Sequence, residues 1–303
     1  MVKTLPGMKP KTLLLLLGTL VVLLGVAYFS RVLDRDITTI DVPEIDIPTE
    51  EVTALSITLP DDAITLVKSG MAWMVTSPVE ALSDSATVSR FLSDLGDLSI
   101  ESIASNNPER YAEYGVDSTA AQVTMTWGEQ EQTLVISQSG PDFQSVFLRL
   151  GDDPRVLVTR GRLSVARSVD RWRDKRILHL PALSIASVSV RRPDGPYALQ
   201  RGAGGWEIDG APADSASVEA FVRRFGSMRA DGFFDDLPAV ILEDAPYEVA
   251  IQTSSGTTEV LRALEHENAV ALTKASGQAT FRLTRNRLDS FFPDPTTLQK
   301  EGL

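Results

Sequence analysis

The hydrophobic and polar positions of this chain follow the same pattern twice. Each copy begins with strands of alternating apolar residues, and the third strand carries a tryptophan, Trp73 or Trp206. An amphipathic helix follows, whose apolar residues recur at i, i+3, i+4 and i+7. These residues are Val88, Phe91, Leu92 and Leu95 in the first copy and Val218, Phe221, Val222 and Phe225 in the second. The pattern predicts a duplicated structural unit.

The ends of the two helices also match. Asp84-Ser85 and Asp214-Ser215 stand where a helix N-cap is needed, and Gly96 and Gly226 stand where a C-cap is expected. From Asp84 to Gly96 every match lies 130 positions from its partner. The spacing therefore predicts two helices with the same caps and the same buried face.

A later motif of each copy predicts how the unit closes. Thr-Arg-Gly-Arg-Leu at 159–163 returns as Thr-Arg-Asn-Arg-Leu at 284–288. We expect a short helix after each motif. Before it, each copy holds four short apolar segments that read as consecutive antiparallel strands. They are 122–127, 132–136, 145–149 and 155–158 in the first copy and 247–251, 258–261, 269–272 and 280–283 in the second.

An uncharged apolar run precedes both copies. Leu13 to Phe29 contains 17 residues, and Lys3, Lys9 and Lys11 lie before it. Its length and flanking charge predict a single transmembrane helix with the N-terminus in the cytoplasm and the rest of the chain exported. A cleavable signal peptide is the alternative, because Gly25-Val26-Ala27 offers small residues for cleavage.

These patterns predict an α+β protein with four regions. A cytoplasmic tip and transmembrane anchor occupy 1–30, and an acidic, proline-rich linker at 31–50 forms an extended stalk. Two tandem units follow, 51–180 and 181–303, each an antiparallel sheet or meander with an amphipathic helix. We call them the first and second units.

Composition limits the chemistry of the exported part. The chain has no cysteine, which excludes disulfides, thiolate catalysis and a lipid-modified cysteine. Three of its 29 lysine and arginine residues precede the apolar run, so 26 face 41 acids in the remainder, a net charge of −15. Nucleic-acid binding requires the opposite charge and is disfavoured. The oligomeric state stays open.

No catalytic, cofactor or metal site is predicted. The two histidines, His179 and His266, occupy non-equivalent places, and a metal site needs three or four ligands. The repeated acids, Asp84 and Asp214, are explained as helix caps. Trp73 and Trp206 could be exposed sugar platforms, but their place in a strand before an amphipathic helix favours core packing.

Six arginines are candidates for contact with an anionic ligand or a partner. Four belong to the repeated motif: Arg160, Arg162, Arg285 and Arg287. Arg171 and Arg173 belong to the most basic run, 167–176. Guanidinium groups can bind anions, but in so acidic a chain they can equally pair with nearby carboxylates. For the basic run we expect a solvated, salt-bridged segment joining the units; a partner-contact surface or a contact with lipid headgroups is the alternative.

Several of these motifs resemble one bacterial family. Trp-Arg-Asp-Lys-Arg-Ile-Leu at 172–178, Gly-Gly-Trp at 204–206 and the helix that begins at Asp214-Ser215 resemble DUF4340, a family of unknown function. The resemblance implies a single-pass envelope protein, in some cases encoded beside a gliding-type auxiliary ABC transport system. It implies no catalytic residues.

Three functions follow as hypotheses. The leading one is a non-enzymatic accessory or scaffold protein, anchored in the inner membrane with its folded part in the periplasm, that assists an ABC-type transport or envelope complex. The second is a binding module for cell-wall glycan or another envelope ligand. The third is a hydrolase that uses two carboxylates.

Overall fold

The computed structural model describes residues 10–29 and 42–300, and within the N-terminal helix the side chains of 17–26. The predicted cytoplasmic tip at 1–9 and the linker residues 31–41 lie outside the described residues. Helix α1 spans Pro10–Phe29. Across the part of the chain described in this way, no helix is long and apolar enough to cross a membrane. From Ile45 onward the chain forms one compact body.

The first unit contains a nine-stranded antiparallel sheet. Its spatial order is β4-β3-β2-β1-β6-β7-β8-β9-β5. The strands are β1 (Ala54–Thr58), β2 (Ala63–Ser69), β3 (Ala72–Ser77), β4 (Ala81–Leu82), β5 (Ser99–Ser105), β6 (Ala121–Trp127), β7 (Gln130–Ile136), β8 (Phe147–Leu150) and β9 (Val156–Arg160). The helices of this unit are α2 (Ser85–Gly96) and α3 (Tyr111–Tyr114).

The second unit contains another nine-stranded antiparallel sheet, in the order β14-β13-β12-β11-β17-β18-β19-β20-β16. Its strands are β11 (Ile185–Arg192), β12 (Gly195–Gly202), β13 (Gly205–Ile208), β14 (Ala211–Pro212), β16 (Gly232–Phe233), β17 (Tyr247–Thr253), β18 (Thr258–His266), β19 (Ala269–Lys274) and β20 (Thr280–Thr284). Its helices are α4 (Ser215–Arg223) and α5 (Leu288–Phe291). A separate two-stranded ladder pairs β10 (Arg176–Leu178) with β15 (Met228–Arg229).

The two sheets match strand for strand, which confirms the predicted α+β class and the duplication. The sequence patterns did not predict the last strand of each sheet, β5 and β16. Strand β5 has one buried residue among seven, three exposed and three partly buried, and β16 has only two residues. Neither therefore shows the apolar alternation that identifies a half-buried strand.

The helix stripes build the two cores as predicted. In α2, Val88, Phe91 and Leu95 are buried in the first core. Of the equivalent side chains, Val218 and Phe221 lie in α4 and Phe225 in the 3₁₀ turn that follows it, and all three are buried in the second core. Trp73 is 7% exposed and Trp206 is 3% exposed, so both tryptophans belong to the cores. Burial of apolar area is the main stabilising contribution in each unit.

The predicted N-caps are confirmed, whereas the predicted glycine C-caps are wrong. The Asp84 carboxylate accepts hydrogen bonds from the first free amides of α2, and Asp214 does the same for α4. Gly96 is the last residue of α2, and the C-cap is Asp97 in a right-handed conformation. Gly226 lies in a 3₁₀ turn that continues α4. Neither end uses the left-handed turn that favours glycine.

The repeated Thr-Arg-x-Arg-Leu motif closes only the second unit with a helix. There it forms a 3₁₀ turn, Arg285–Arg287, that leads into α5. In the first unit Gly161 has φ +97°, a left-handed conformation that turns the chain away from a helical path. The helix predicted after the first motif is therefore absent from the described residues, and an irregular segment follows Arg162.

Each unit ends by returning its chain to the start of its amphipathic helix. In the first unit the Asp84 amide donates to the Trp172 carbonyl, and in the second the Asp214 amide donates to the Leu298 carbonyl. An antiparallel bridge follows in both, from Ser83 to Arg173 and from Ala213 to Gln299. Trp172 and Leu298 are therefore equivalent positions, as are Arg173 and Gln299. After this point the first unit runs directly into the second.

Candidate functional site

The segment Trp172–Leu178, which we call the joining segment, has one end in each hydrophobic core. Trp172 is 1% exposed and meets Phe91 edge to face, with ring centroids 5.7 Å apart. Ile177 and Leu178 are buried in the core of the second unit. The joining segment therefore connects the two cores directly, because each of its ends packs among the apolar side chains of one unit.

Backbone hydrogen bonds attach this segment to both units. The Asp174 amide donates to the Leu82 carbonyl of the first unit at 2.8 Å. The Lys175 carbonyl accepts from the Ala230 amide of the second unit at 2.8 Å. The ladder between β10 and β15 continues this attachment. The backbone of the joining segment thus forms hydrogen bonds with the first unit at Asp174 and with the second unit at Lys175.

Arg173 lies at the centre of the junction. Its side chain is 5% exposed, and its guanidinium carbon lies 3.5 Å from the centroid of the Phe233 ring. Nη1 donates to the two carboxylate oxygens of Asp235 at 2.8 and 2.9 Å and lies 3.6 Å from Asp170. Nε is buried and has no hydrogen-bond partner among the described residues. One buried cation therefore attracts carboxylates from both units.

A second ion pair crosses the junction at the cap of α2. Arg229 of the second unit donates to Asp84 Oδ2 at 2.9 Å. Burial would raise the pKa of Asp84, but the amide of Thr87 and the Arg229 guanidinium outweigh it, so its pKa lies below the ordinary 3.8. Asp214 has no such cross-unit partner among the described residues, and its pKa is lowered by the Ser217 hydroxyl and the Ala216 amide.

The two caps form a matched pair for mutation. Asp84→Ala should lower the free energy of unfolding by about 1–2 kcal/mol, and by more than Asp214→Ala, because only Asp84 also pairs across the junction. Since its folded pKa is depressed, the contribution of Asp84 is complete above the unfolded pKa of about 3.9 and is lost as pH falls through the folded value. Urea unfolding from neutral to acidic pH checks this. Equal losses in both variants would show that the Arg229 pair contributes nothing.

A cleft of about 480 Å³ opens beside Arg173, and we call it the junction cleft. Its lining comes from both units and from the joining segment. The residues that matter below are Leu82 and Glu80 of the first unit, Phe234 and Pro238 of the second, and Arg173 and Arg176. Leu82 is 46% exposed there. The cleft combines apolar side chains with a few charged ones, which is typical of sites that bind another molecule.

Comparison with known proteins assigns the chain to a family. A family model described as "Domain of unknown function (DUF4340)" matches residues 73–284, more than half of the chain. The chain belongs to the DUF4340 family. The match begins at the buried Trp73 in β3 and ends with strand β20, so it includes the joining segment, the whole second sheet and the first sheet apart from β1 and β2. No curated protein and no solved structure matches this chain.

In this DUF4340 protein, the four arginines of the repeated motif lie in two separate units. Arg160 pairs with Glu101 at 3.3 Å, Arg285 pairs with Glu265 at 2.7 Å, and Arg287 pairs with Asp231 at 3.1 Å. Arg162 is exposed and has no ion pair with a described carboxylate. Three of the four motif arginines thus have acidic neighbours, and their role in ligand or partner contact stays a prediction.

The basic run of the DUF4340 chain joins the units as expected, but it is only partly solvated. Trp172 and Arg173 are buried, whereas Arg171 is exposed. The sequence could not reveal that Arg173 contacts Phe233 and Asp235, because these two residues lie about sixty positions later in the chain. The available signal was Trp172, a large apolar residue within the basic run, which favours burial of part of the run.

Most of the other candidate residues have structural partners. His179 is exposed, and His266 meets Phe234 edge to face at 5.1 Å. No group of three or more histidine and acidic side chains in the described residues is arranged to hold a metal ion. Asp84 and Asp214 cap helices, and the sugar-platform role suggested for Trp73 and Trp206 would require them to leave the cores.

Proposed function

We propose that this DUF4340 protein is a non-enzymatic accessory or scaffold protein of the bacterial envelope, anchored in the inner membrane with its folded part in the periplasm. It assists an ABC-type transport complex or another envelope complex by binding a partner in the junction cleft. The observation that carries the proposal is that the duplicated units meet at a junction held by a buried ion pair, beside an open, partly apolar cleft.

The anchor is supported mainly by the sequence. Residues 13–29 carry no charge, and the preceding lysines favour a cytoplasmic N-terminus. Seven apolar side chains between Leu17 and Val26 are each more than half exposed on α1. A helix that is apolar on all sides requires an apolar environment, and a bilayer supplies one.

The surface beside the junction cleft supports partner binding. Beyond Pro238 at its rim, the 3₁₀ turn Ala239–Leu242 exposes Val240 over 62% and Ile241 over 53%. Val240 and Ile241 follow the lining residue Pro238 in the chain, and Leu82 lines the cleft itself; we call these three residues the apolar rim. Exposed apolar side chains grouped around a cleft mark an interaction site more often than isolated ones do. Arg176 and Glu80 add charges that can orient a partner.

Co-purification tests this proposal. The full chain, carrying a C-terminal affinity tag, is extracted from membranes in a mild detergent and purified, and the accompanying proteins are identified. We expect recovery with the membrane fraction together with a stoichiometric membrane-protein partner, such as the components of an ABC-type transporter. A full chain that fractionates away from membranes, or that purifies alone, would contradict the proposal.

A further inference from the structure

A second cleft, on the first unit, is rich in arginine. It has a volume of about 550 Å³, and Arg90 of α2, Arg167 and Arg171 line it. A smaller cleft of about 180 Å³ adjoins it, shares Arg167 and Ser164 with it, and adds Arg162. We call these two together the basic cleft. Four arginines gathered in a chain whose exported part carries −15 form a local reversal of charge.

These arginines differ from most other arginines of the fold because they have no ion pair with a described carboxylate. Arg90, Arg162 and Arg171 have no ion pair with a carboxylate in residues 42–300, and Arg167 donates to the Thr119 carbonyl at 3.1 Å. Most arginines elsewhere in the fold do have an acidic partner within 4 Å. The guanidinium donors of the basic cleft are thus left available to a ligand.

The duplication provides an internal comparison. The position of Arg90 in the second unit is Ala220, and the position of Arg171 is Thr297. The second unit forms the same nine-stranded sheet without these arginines. Arg162 corresponds to Arg287, which is neutralised by Asp231, whereas Arg162 is not paired in the described residues. Building the unit therefore does not require the charges of the basic cleft.

The remaining lining suits an anion with several oxygens. Thr87, Ser164 and Ser168 contribute hydroxyl groups, and the buried rings of Phe91 and Trp172 form an apolar floor. Asp94 is the one acid among the described lining residues. The larger cavity is within the range of ordinary ligand sites.

We propose that the basic cleft binds a ligand that carries phosphate groups. Arginine forks match the geometry of phosphate oxygens and bind them in two places at once, and the hydroxyls can donate further hydrogen bonds. The same chemistry is presented by an anionic lipid headgroup and by a free phosphate-bearing molecule. This site lies apart from the junction cleft and does not depend on the proposed partner.

The test uses the full chain in nanodiscs of phosphatidylcholine and two probes. Inorganic tripolyphosphate represents a free phosphate and is followed by the fluorescence of the tryptophans, one of which lies in the floor of the cleft. Phosphatidylcholine vesicles with and without phosphatidylglycerol represent a headgroup, and co-sedimentation of the nanodiscs with them is measured. We expect saturable binding of at least one probe.

The variants decide between the basic cleft and general attraction. Arg90→Gln/Arg171→Gln should weaken binding about tenfold or more, because the variant removes two charge-assisted contacts with phosphate oxygens. Arg223→Gln/Arg224→Gln removes two exposed arginines of the second unit and should change binding less than about twofold. Binding of tripolyphosphate alone supports a free ligand, and binding of anionic vesicles alone supports a headgroup. Binding of neither probe, or equal losses in both variants, would overturn the proposal.

Discussion

Trp172→Ala is expected to lower the free energy of unfolding by about 3–5 kcal/mol, the range for truncating a large aromatic side chain in a core. Trp172 is 1% exposed and lies 5.7 Å from Phe91 between ring centroids. Its indole N–H donates to the Ala166 carbonyl at 2.9 Å. Truncation leaves a cavity under α2 and removes a fixed point of the joining segment. Urea unfolding of the full chain in detergent, followed by far-ultraviolet circular dichroism, measures the loss.

Trp127→Ala is the matched control for this prediction. Trp127 belongs to the same unit and also donates its indole N–H, to Gln130, but it is only half-buried at the end of β6. Its removal deletes the same atoms with less buried area and should cost about 1–2 kcal/mol. Similar losses in both variants would mean that Trp172 is not a central element of the core.

Arg173→Met should lower the free energy of unfolding by about 2–3 kcal/mol. Breaking a fully buried ion pair costs about 3–5 kcal/mol, and the loss here is smaller because Asp235 stays partly hydrated. Methionine keeps much of the apolar stem but loses the contact with the Phe233 ring and both hydrogen bonds to Asp235. Since Arg173 links carboxylates of the two units, the variant should also unfold in two separable steps.

Arg176→Met removes the same charge three positions later and provides the comparison. Arg176 is 64% exposed and pairs with Asp174 at 2.7 Å. An exposed pair contributes less than about 1 kcal/mol, so this variant should keep a single transition near that of the native chain. Equal destabilisation by the two substitutions would refute the role assigned to Arg173.

Local sequence patterns were sufficient to predict the amphipathic helices, their N-caps and the duplication. The stripe of Val88, Phe91 and Leu95 has the period of a helix, and its repetition 130 positions later revealed the duplication. The caps at Asp84 and Asp214 were equally local, since a side chain and the amides two or three residues later decide them. The glycine C-caps failed because Gly96 can remain helical when the following Asp97 ends the helix instead.

The junction and the basic cleft could not be derived in the same way. Arg173 meets Asp235 from 62 positions away, and Arg90 shares a cleft with Arg171 from the far end of the first unit. These contacts depend on the path of the chain, which forms a nine-stranded sheet before Trp172 returns to the N-cap of α2. The sequence identified Arg171 and Arg173 as candidates. Only the fold shows that Arg171 is exposed and Arg173 is buried.

The central claim is that the apolar rim of the junction cleft binds a membrane-protein partner. It is tested most directly by co-purifying the full chain from membranes in two variants, Ile241→Asp and Met71→Asp. Ile241 belongs to the apolar rim and lies three positions after the lining residue Pro238, whereas Met71 is a fully exposed apolar residue of the turn between β2 and β3. Both variants introduce the same charge on an exposed surface. We predict that Ile241→Asp reduces recovery of the partner about tenfold or more, whereas Met71→Asp recovers it like the native chain. Equal recovery with both variants would contradict the account.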